Sequence, residues 1–223
     1  MSRKRIKISL EQMEKSICRI RCSKGGYGTG FFCEFSNPDD WNSAPFRVLM
    51  TNNHVLGSED LQIGKKINFT INNGIEFHEI LVDESRKTYT NEDYDISIIE
   101  IKQTDGIPHE SFIKVDNQIY QQNLQLALKN IPIYLLHYPK GIEIEKSDGI
   151  IKSVGDDNFT ILHKCCSQAG SSGGPLLDFN SCQVIGIHKG ASKKENFNNG
   201  TVIKVPIINY IKSINNVKNK MVN

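Results

Sequence analysis

Gly170-Ser171-Ser172-Gly173-Gly174-Pro175, preceded by Ser167-Gln168-Ala169 and running into the apolar Leu176-Leu177, is the stretch whose reading decides the fold. Glycines that flank a serine do not build a core. A hydrolytic serine needs its hydroxyl at the apex of a tight turn, with backbone N–H groups converging where a tetrahedral oxyanion forms. Glycines on both sides permit that geometry. A Gly/Ser-rich β-turn fits the same six residues, so the hexapeptide by itself leaves both readings open.

A serine is a poor nucleophile without a base. Among the six histidines, His54 stands where the apolar Val48-Leu49-Met50 runs into Thr51-Asn52-Asn53-His54-Val55, which places an imidazole at a strand end. A turn histidine or a capping side chain fits there too. His78, His109, His137 and His163 have no comparable setting and read as surface or locally bonded side chains. The base in turn needs an acid that fixes its tautomer. Asp95, in Asn91-Glu92-Asp93-Tyr94-Asp95, directly precedes the apolar Ile96-Ser97-Ile98-Ile99. A carboxylate at that boundary needs hydrogen-bond partners, and a histidine N–H is one. Asp93, two residues earlier on the same strand face, is the competing acid.

Around these positions, short β-branched and aromatic runs separated by Gly, Asn, Asp and Pro recur along nearly the whole chain, the pattern of an all-β sandwich or barrel. Ile17–Cys22, Gly30–Phe35, Arg47–Thr51, Lys66–Ile71, Glu76–Val82 and Ile96–Ile101 precede the polar stretch Thr104–Asn130. Ile131–His137, Glu143–Ile151, Phe159–Leu162, Pro175–Asp178, Val184–His188 and Gly200–Val205 follow it. Two β-barrels are expected, over residues 16–120 with His54 and Asp95 and over 121–205 with Ser172. A basic extension, 1–15, precedes them, and a helix over Pro206–Val217 with its tail, 206–223, closes the chain. The loops Asn37–Ala44 and Ser192–Asn199 are expected to be exposed and mobile.

The 223 residues, 38% apolar and 23% charged, suit one or two folded units. Lys and Arg total 27 against 25 for Asp and Glu, and a net charge of +2 gives no field that argues for nucleic acid or a membrane surface. No basic, aromatic-rich stripe marks a nucleic-acid barrel, and no run approaches the roughly 18 apolar residues of a membrane span. The basic residues Arg3, Lys4, Arg5 and Lys7 are not followed by an apolar segment and cleavage site, so the start reads as a solvated end rather than a secretory signal. Cys18 and Cys22, four residues apart on one strand, lie about 13 Å apart and cannot pair there. With no C-x-x-C among the six cysteines, reduced thiols and a cytoplasmic location are expected. No cofactor is expected, and no metal from Cys165, Cys166, Cys182 and His163.

Taken together, Gly28-Thr29-Gly30-Phe31-Phe32, Thr51-Asn52-Asn53-His54-Val55, Asp93-Tyr94-Asp95-Ile96 and Gly170–Pro175 resemble the chymotrypsin-like serine peptidases, the PA-clan trypsin family, in the family order His, Asp, Ser. The resemblance implies two six-stranded Greek-key barrels with the cleft between them. It implies a triad of His54, Asp95 and Ser172, and an oxyanion hole from the N–H groups of Gly170 and Ser172. The chain departs from the digestive members at Ser171, where they carry the aspartate that captures a freshly cut N-terminus, and it lacks the cysteine pair around the catalytic histidine.

The position six before the nucleophile, an aspartate in trypsin, is Cys166, which disfavours cleavage after Lys or Arg. Val184-Ile185-Gly186-Ile187-His188 instead resembles the pocket wall of glutamyl endopeptidases and of viral relatives that cut after Gln, in which Ser167 supplies an assisting hydroxyl. Imidazole and hydroxyl donors suit a Glu or Gln side chain. Alternatively His188 is internally satisfied and the pocket prefers small side chains. If His188 must be charged, cleavage after Glu weakens as the pH rises and cleavage after Gln changes less. Lys189, by alternation, points away from the pocket. The expected function is a serine endopeptidase acting on polypeptides. The runner-up is a pseudopeptidase, catalytically silent or activated by a partner, whose cleft binds a peptide.

Overall fold

β-Branched and aromatic residues at two-residue spacing bury one strand face and leave the other wet. In β4 (Lys66–Ile71), Ile67, Phe69 and Ile71 are buried while Asn68 and Thr70 are half-buried. In the computed structural model, which describes residues 3–40, 42–192 and 196–222, fourteen strands among the described residues form two sheets. The first contains β1 (Ile17–Arg21), β2 (Tyr27–Phe35), β3 (Phe46–Thr51), β4, β5 (Glu76–Leu81), β6 (Thr88–Asn91) and β7 (Ile96–Glu100) in the order β5-β4-β1-β2-β3-β7-β6. A two-residue β8 (Ile113–Lys114) runs parallel to β2. The second sheet closes into a barrel of β9 (Pro132–His137), β10 (Glu145–Val154), β11 (Thr160–His163), β12 (Pro175–Asp178), β13 (Val184–Ala191) and β14 (Asn198–Val202).

The expectation of two closed six-stranded barrels therefore needs correction in the first half, whose sheet is open, with β5 and β6 at its ends. One side chain accounts for the open seam. The Arg86 guanidinium donates to Leu81 O at the end of β5 (2.8 Å) and to Glu100 O at the end of β7 (2.7 Å), and it forms a fork with the Asp105 carboxylate (2.7 and 2.8 Å). Carbonyls at the ends of β5 and β7 are thus satisfied by a cation whose side chain is only 4% exposed.

The first sheet encloses its own core of Ile20, Phe32, Leu49, Phe69, Ile80 and Ile99. A second apolar cluster runs from Ile17, Phe31 and Val48 through Leu135 and Ile185, so the halves share packing. The polar stretch between them is not a free linker, because β8 adds to β2 and Val115 bridges to Val184.

The basic Arg3, Lys4 and Lys7 are exposed, but they belong to a helix that packs on the fold. Helix α1 (Arg3–Lys15) docks on the second half, where Gln12 donates to Cys182 O (2.8 Å) and accepts from the Tyr134 hydroxyl (2.7 Å). A single turn, α2 (Leu124–Ala127), lies between the sheets, and the C-terminal helix α3 (Lys204–Val222) begins two residues earlier than expected. Its Tyr210 ring packs edge-on against Phe35 and Phe46 of the first sheet. The predicted loops 37–44 and 192–199 include residues 41 and 193–195, and the predicted extension and tail include residues 1, 2 and 223; those positions lie outside the described residues. No helix among the described residues is long and apolar enough to cross a membrane.

Arg86→Ala strips three backbone and carboxylate partners from one buried cation and leaves Asp105 uncompensated. We expect it to lower unfolding stability by about 3–5 kcal/mol, read as the midpoint of a urea denaturation, with Arg86→Lys unable to restore the fork. A midpoint unchanged in Arg86→Ala would show that the seam does not depend on this side chain.

Candidate active site

The end of β3 delivers His54. Asn52 O accepts N–H bonds from Val55 and Leu56 (both 3.1 Å), making the turn that brings the imidazole to the surface, where its side chain is 49% exposed. Asn52 Nδ2 donates to Asp95 O (2.8 Å) and Asn53 Nδ2 to the Thr90 hydroxyl (2.7 Å), tying this turn to the loop before β7. Asp95 there has φ +49°, a left-handed conformation uncommon outside glycine. Its carboxylate accepts from His54 Nδ1 (2.8 and 3.0 Å) and from the His54 backbone N–H (3.0 Å), while Asp93 is exposed. A carboxylate only accepts, so Nδ1 carries the proton and Nε2 is left as the basic nitrogen. Burial pushes the Asp95 carboxyl up, but the hydrogen bond and charge of the His54 ring and its backbone N–H prevail and hold it below its ordinary value.

Across the molecule, Gly170 (φ +90°) and Gly173 (φ +89°) turn the chain around Ser172. A side chain at either would collide with backbone: a Cβ on Gly173 would lie 2.0 Å from Thr29 O, and one on Gly170 2.5 Å from Tyr138 O. Thr29 is the meeting point. Its N–H donates to Ser172 O (2.8 Å), its carbonyl accepts from the Thr51 hydroxyl (2.7 Å), and its own hydroxyl donates to Gly170 O (2.8 Å) while accepting from Tyr138 N–H (3.0 Å). The N–H groups of Gly170 and Ser172 have no partner among the described residues. The Ser172 hydroxyl donates to Lys189 O (3.0 Å) and not to His54. A register shift between His188 and Gly190 interrupts the alternation of β13 there, and it makes Lys189 a neighbour of the site, its charge acting on Asp95.

Cys166 and Ser167 line an open cavity of about 430 Å³ together with His163. His188 does not line it. It lies behind, 1% exposed, with its Nδ1 3.0 Å from His163 Nε2. Of the surface or locally bonded alternatives read for His137 and His163, the surface one is corrected: both are buried, His163 accepting locally from Cys165 N–H (3.3 Å) and His137 with its Nδ1 2.7 Å from the Ser171 hydroxyl. Burial lowers both to about 4 and pushes His188 down as well, with the neighbouring imidazoles adding to the effect on His188. The signal that could have placed them is parity: His137 shares a strand face with Ile133 and Leu135, and His163 with Ile161. All six cysteines are free thiols, and burial drives that of Cys165 up to about 12, where it is no nucleophile near neutral pH. Among the described residues no cluster of His, Cys, Asp or Glu could hold a metal ion. Another cavity, about 560 Å³ between Arg19, Arg21, Tyr27 and Phe77, touches none of these site residues.

Comparison with known proteins bears on the same segments. The family profile described as trypsin-like peptidase domain matches residues 28–187. This chain belongs to the trypsin-like peptidase family. A search of the curated proteins finds no match. Similar solved structures include the serine endoprotease from Yersinia pestis, 14% identical with a TM-score of 0.60 over 91% of this chain and 62% of that one. They also include an inactive form of Rv3671c from M. tuberculosis H37Rv, 19% identical with a TM-score of 0.59 over 93% of this chain and 89% of that one. The HtrA-type protease AlgW with a tripeptide is 16% identical with a TM-score of 0.59 over 88% and 59%. This trypsin-like peptidase domain thus spans less than two thirds of the Yersinia pestis protein, and at these identities the likeness is one of fold.

Three buried imidazoles kept neutral in the folded domain make its stability pH-dependent with a definite sign. The unfolded chain takes up protons at these histidines below pH about 6.5, whereas in the folded chain His137 and His163 do not until about 4 and burial lowers His188 as well, so the unfolded state binds more protons across that window. Unfolding stability should fall as the pH drops from 6.5 to 4, by up to about 1.4 kcal/mol per pH unit for each histidine. Urea midpoints that stay level between pH 7 and 5 would contradict this.

Proposed function

We propose that this chain is a serine endopeptidase that hydrolyses polypeptides through an acyl-enzyme, with Ser172 as nucleophile, His54 as general base and acid, and Asp95 as the group that orients it. The observation that carries this reading is the Asp95 carboxylate on His54: by accepting from Nδ1–H it keeps the ring proton there and leaves Nε2 free on a half-exposed ring. Ser172 would attack the carbonyl as His54 Nε2 takes its proton; the tetrahedral oxyanion would be met by the unpartnered N–H groups of Gly170 and Ser172. His54 would then return the proton to the leaving amine, and water would repeat the sequence to release the acid. Intact-mass measurement after a fluorophosphonate should show one adduct in the wild type and none in Ser172→Ala. Asp95→Asn should lower kcat/KM about 10³- to 10⁴-fold, since an amide can present its donor to Nδ1 and trap the wrong tautomer. Unaltered turnover in either variant would remove the triad.

For the residue before the cut we propose Gln ahead of Glu. Cys165 N–H donates to His163 Nδ1 (3.3 Å), so the proton of neutral His163 is on Nε2 and is donated to His188 Nδ1; neutral His188 then carries its proton on Nε2. This relay supports a neutral N–H donor beside the Cys166 and Ser167 cavity. An amide oxygen suits it, whereas a carboxylate would be desolvated without a countercharge. The conditional case, a charged His188 holding Glu with cleavage fading as the ring deprotonates, is not the one we propose, because burial pushes the ring toward its neutral form. Matched peptides should be cut faster after Gln than after Glu at pH 7, with Glu gaining only as its own carboxyl protonates below pH about 5. Faster cleavage after Glu at pH 7 would reverse the assignment.

A second reading draws on the Ser172–Lys189 bond: a cleft that binds peptide and cuts only after its serine is released by a partner. Complete labelling of the isolated chain by the fluorophosphonate would exclude it.

A further inference from the structure

The Gly-rich turn must hold two N–H groups in a fixed direction although its glycines give the backbone maximal freedom. One side chain in that turn is buried within the protein, that of Ser171. We infer that His137 is a positioning residue for the nucleophile turn: through its hydrogen bond to Ser171 it clamps residues 168–172 in the arrangement that presents Gly170 and Ser172 N–H. The inference rests on the peptidase reading above and adds to it a residue outside the triad.

The bonding is closed at the hydroxyl and open at the ring. Gln168 N–H donates to Ser171 Oγ (2.9 Å), and Ser171 Oγ lies 2.7 Å from His137 Nδ1, so the hydroxyl proton is free to be donated to the ring. Ser171 N–H returns to Gln168 O (3.0 Å), making a small ring of bonds that the imidazole anchors to β9. His137 Nε2 is buried and has no partner. An orphaned ring nitrogen in a core costs stability that a leucine would not; what the imidazole adds at that place is the bond to Ser171. Two further links run from the same end of β9 to the same turn, Tyr138 N–H through the Thr29 hydroxyl to Gly170 O, and Lys140 N–H to Ala169 O (2.5 Å). The clamp occupies the position at which digestive relatives carry the N-terminus-capturing aspartate, and it is complete within the fold.

The test uses the full chain with His137→Ala, His137→Asn, Ser171→Ala and the His137→Ala/Ser171→Ala double variant. Each is read by circular dichroism, kcat and KM on one peptide substrate, and amide hydrogen exchange of residues 168–172. Expected are a fall in kcat of about 10- to 100-fold with KM within about twofold in both alanine variants, a double variant no worse than the worse single, and faster exchange at 168–172. His137→Asn, which can still reach Ser171, should recover part of kcat. Ser171→Ala, a one-atom deletion, keeps the test valid where His137→Ala does not fold. A folded Ser171→Ala with wild-type kcat and unchanged exchange would falsify the clamp, as would losses that add in the double variant. A wild type that neither labels nor cuts would defeat the peptidase reading instead, and the exchange measurement then decides the clamp by itself.

Discussion

The N–H and hydroxyl of Thr29 join the two halves of the molecule at the site. They reach Ser172 and Gly170, the carbonyl takes Thr51 from β3 of its own sheet, and Tyr138, just after β9, closes the set. Because Thr51 lies three residues before His54, the same residue that holds the serine turn also holds the strand that delivers the imidazole. The glycine at 173 follows from this contact, since no side chain fits at 2.0 Å from the Thr29 carbonyl. The relative placement of base and nucleophile is thus a matter of backbone hydrogen bonds at a crossing, with side-chain chemistry added at its edges.

The buried polar groups divide into two kinds. Arg86, Gln12 and Thr29 satisfy main-chain carbonyls and N–H groups that irregular chain would leave unpaired, a structural task. The three buried imidazoles do something different: each is held neutral by burial, and two of them pass a fixed tautomer from the wall of a cavity to the ring behind it. A core that keeps histidines uncharged carries an acid sensitivity that one built of leucines would not.

Much of this was legible in the residues. Lys66–Ile71, with alternating burial, and Pro175–Asp178, buried throughout, were delimited in the sequence with these bounds, and His54 and Asp95, read from their settings at strand ends, are hydrogen-bonded. What escaped had no local signature. In α1 the apolar Ile6 and Leu10 are 45% and 58% exposed while Ser9 and Gln12 are buried, so hydropathy pointed to the wrong face. Strand β6 is four half-buried polar and aromatic residues without alternation. Arg86 joins positions 5, 14 and 19 residues away, which no short window contains. The turn of Ser172 toward Lys189 depends on a strand irregularity that only the pairing of β13 with β14 defines.

The open seam of the first sheet has a practical side. Where a closed barrel has no edges, this sheet ends in β5, and Phe77 and Leu81 on that strand are 67% and 47% exposed, with Ile75 just before it at 77%. Unpaired backbone beside apolar side chains is a template for adding a strand from another molecule, held off here by Lys66 and Glu79, which form an ion pair diagonally across β4 and β5. Concentrated solutions at high salt, which weaken that charge pair and strengthen apolar contact, are the conditions under which this edge governs solubility.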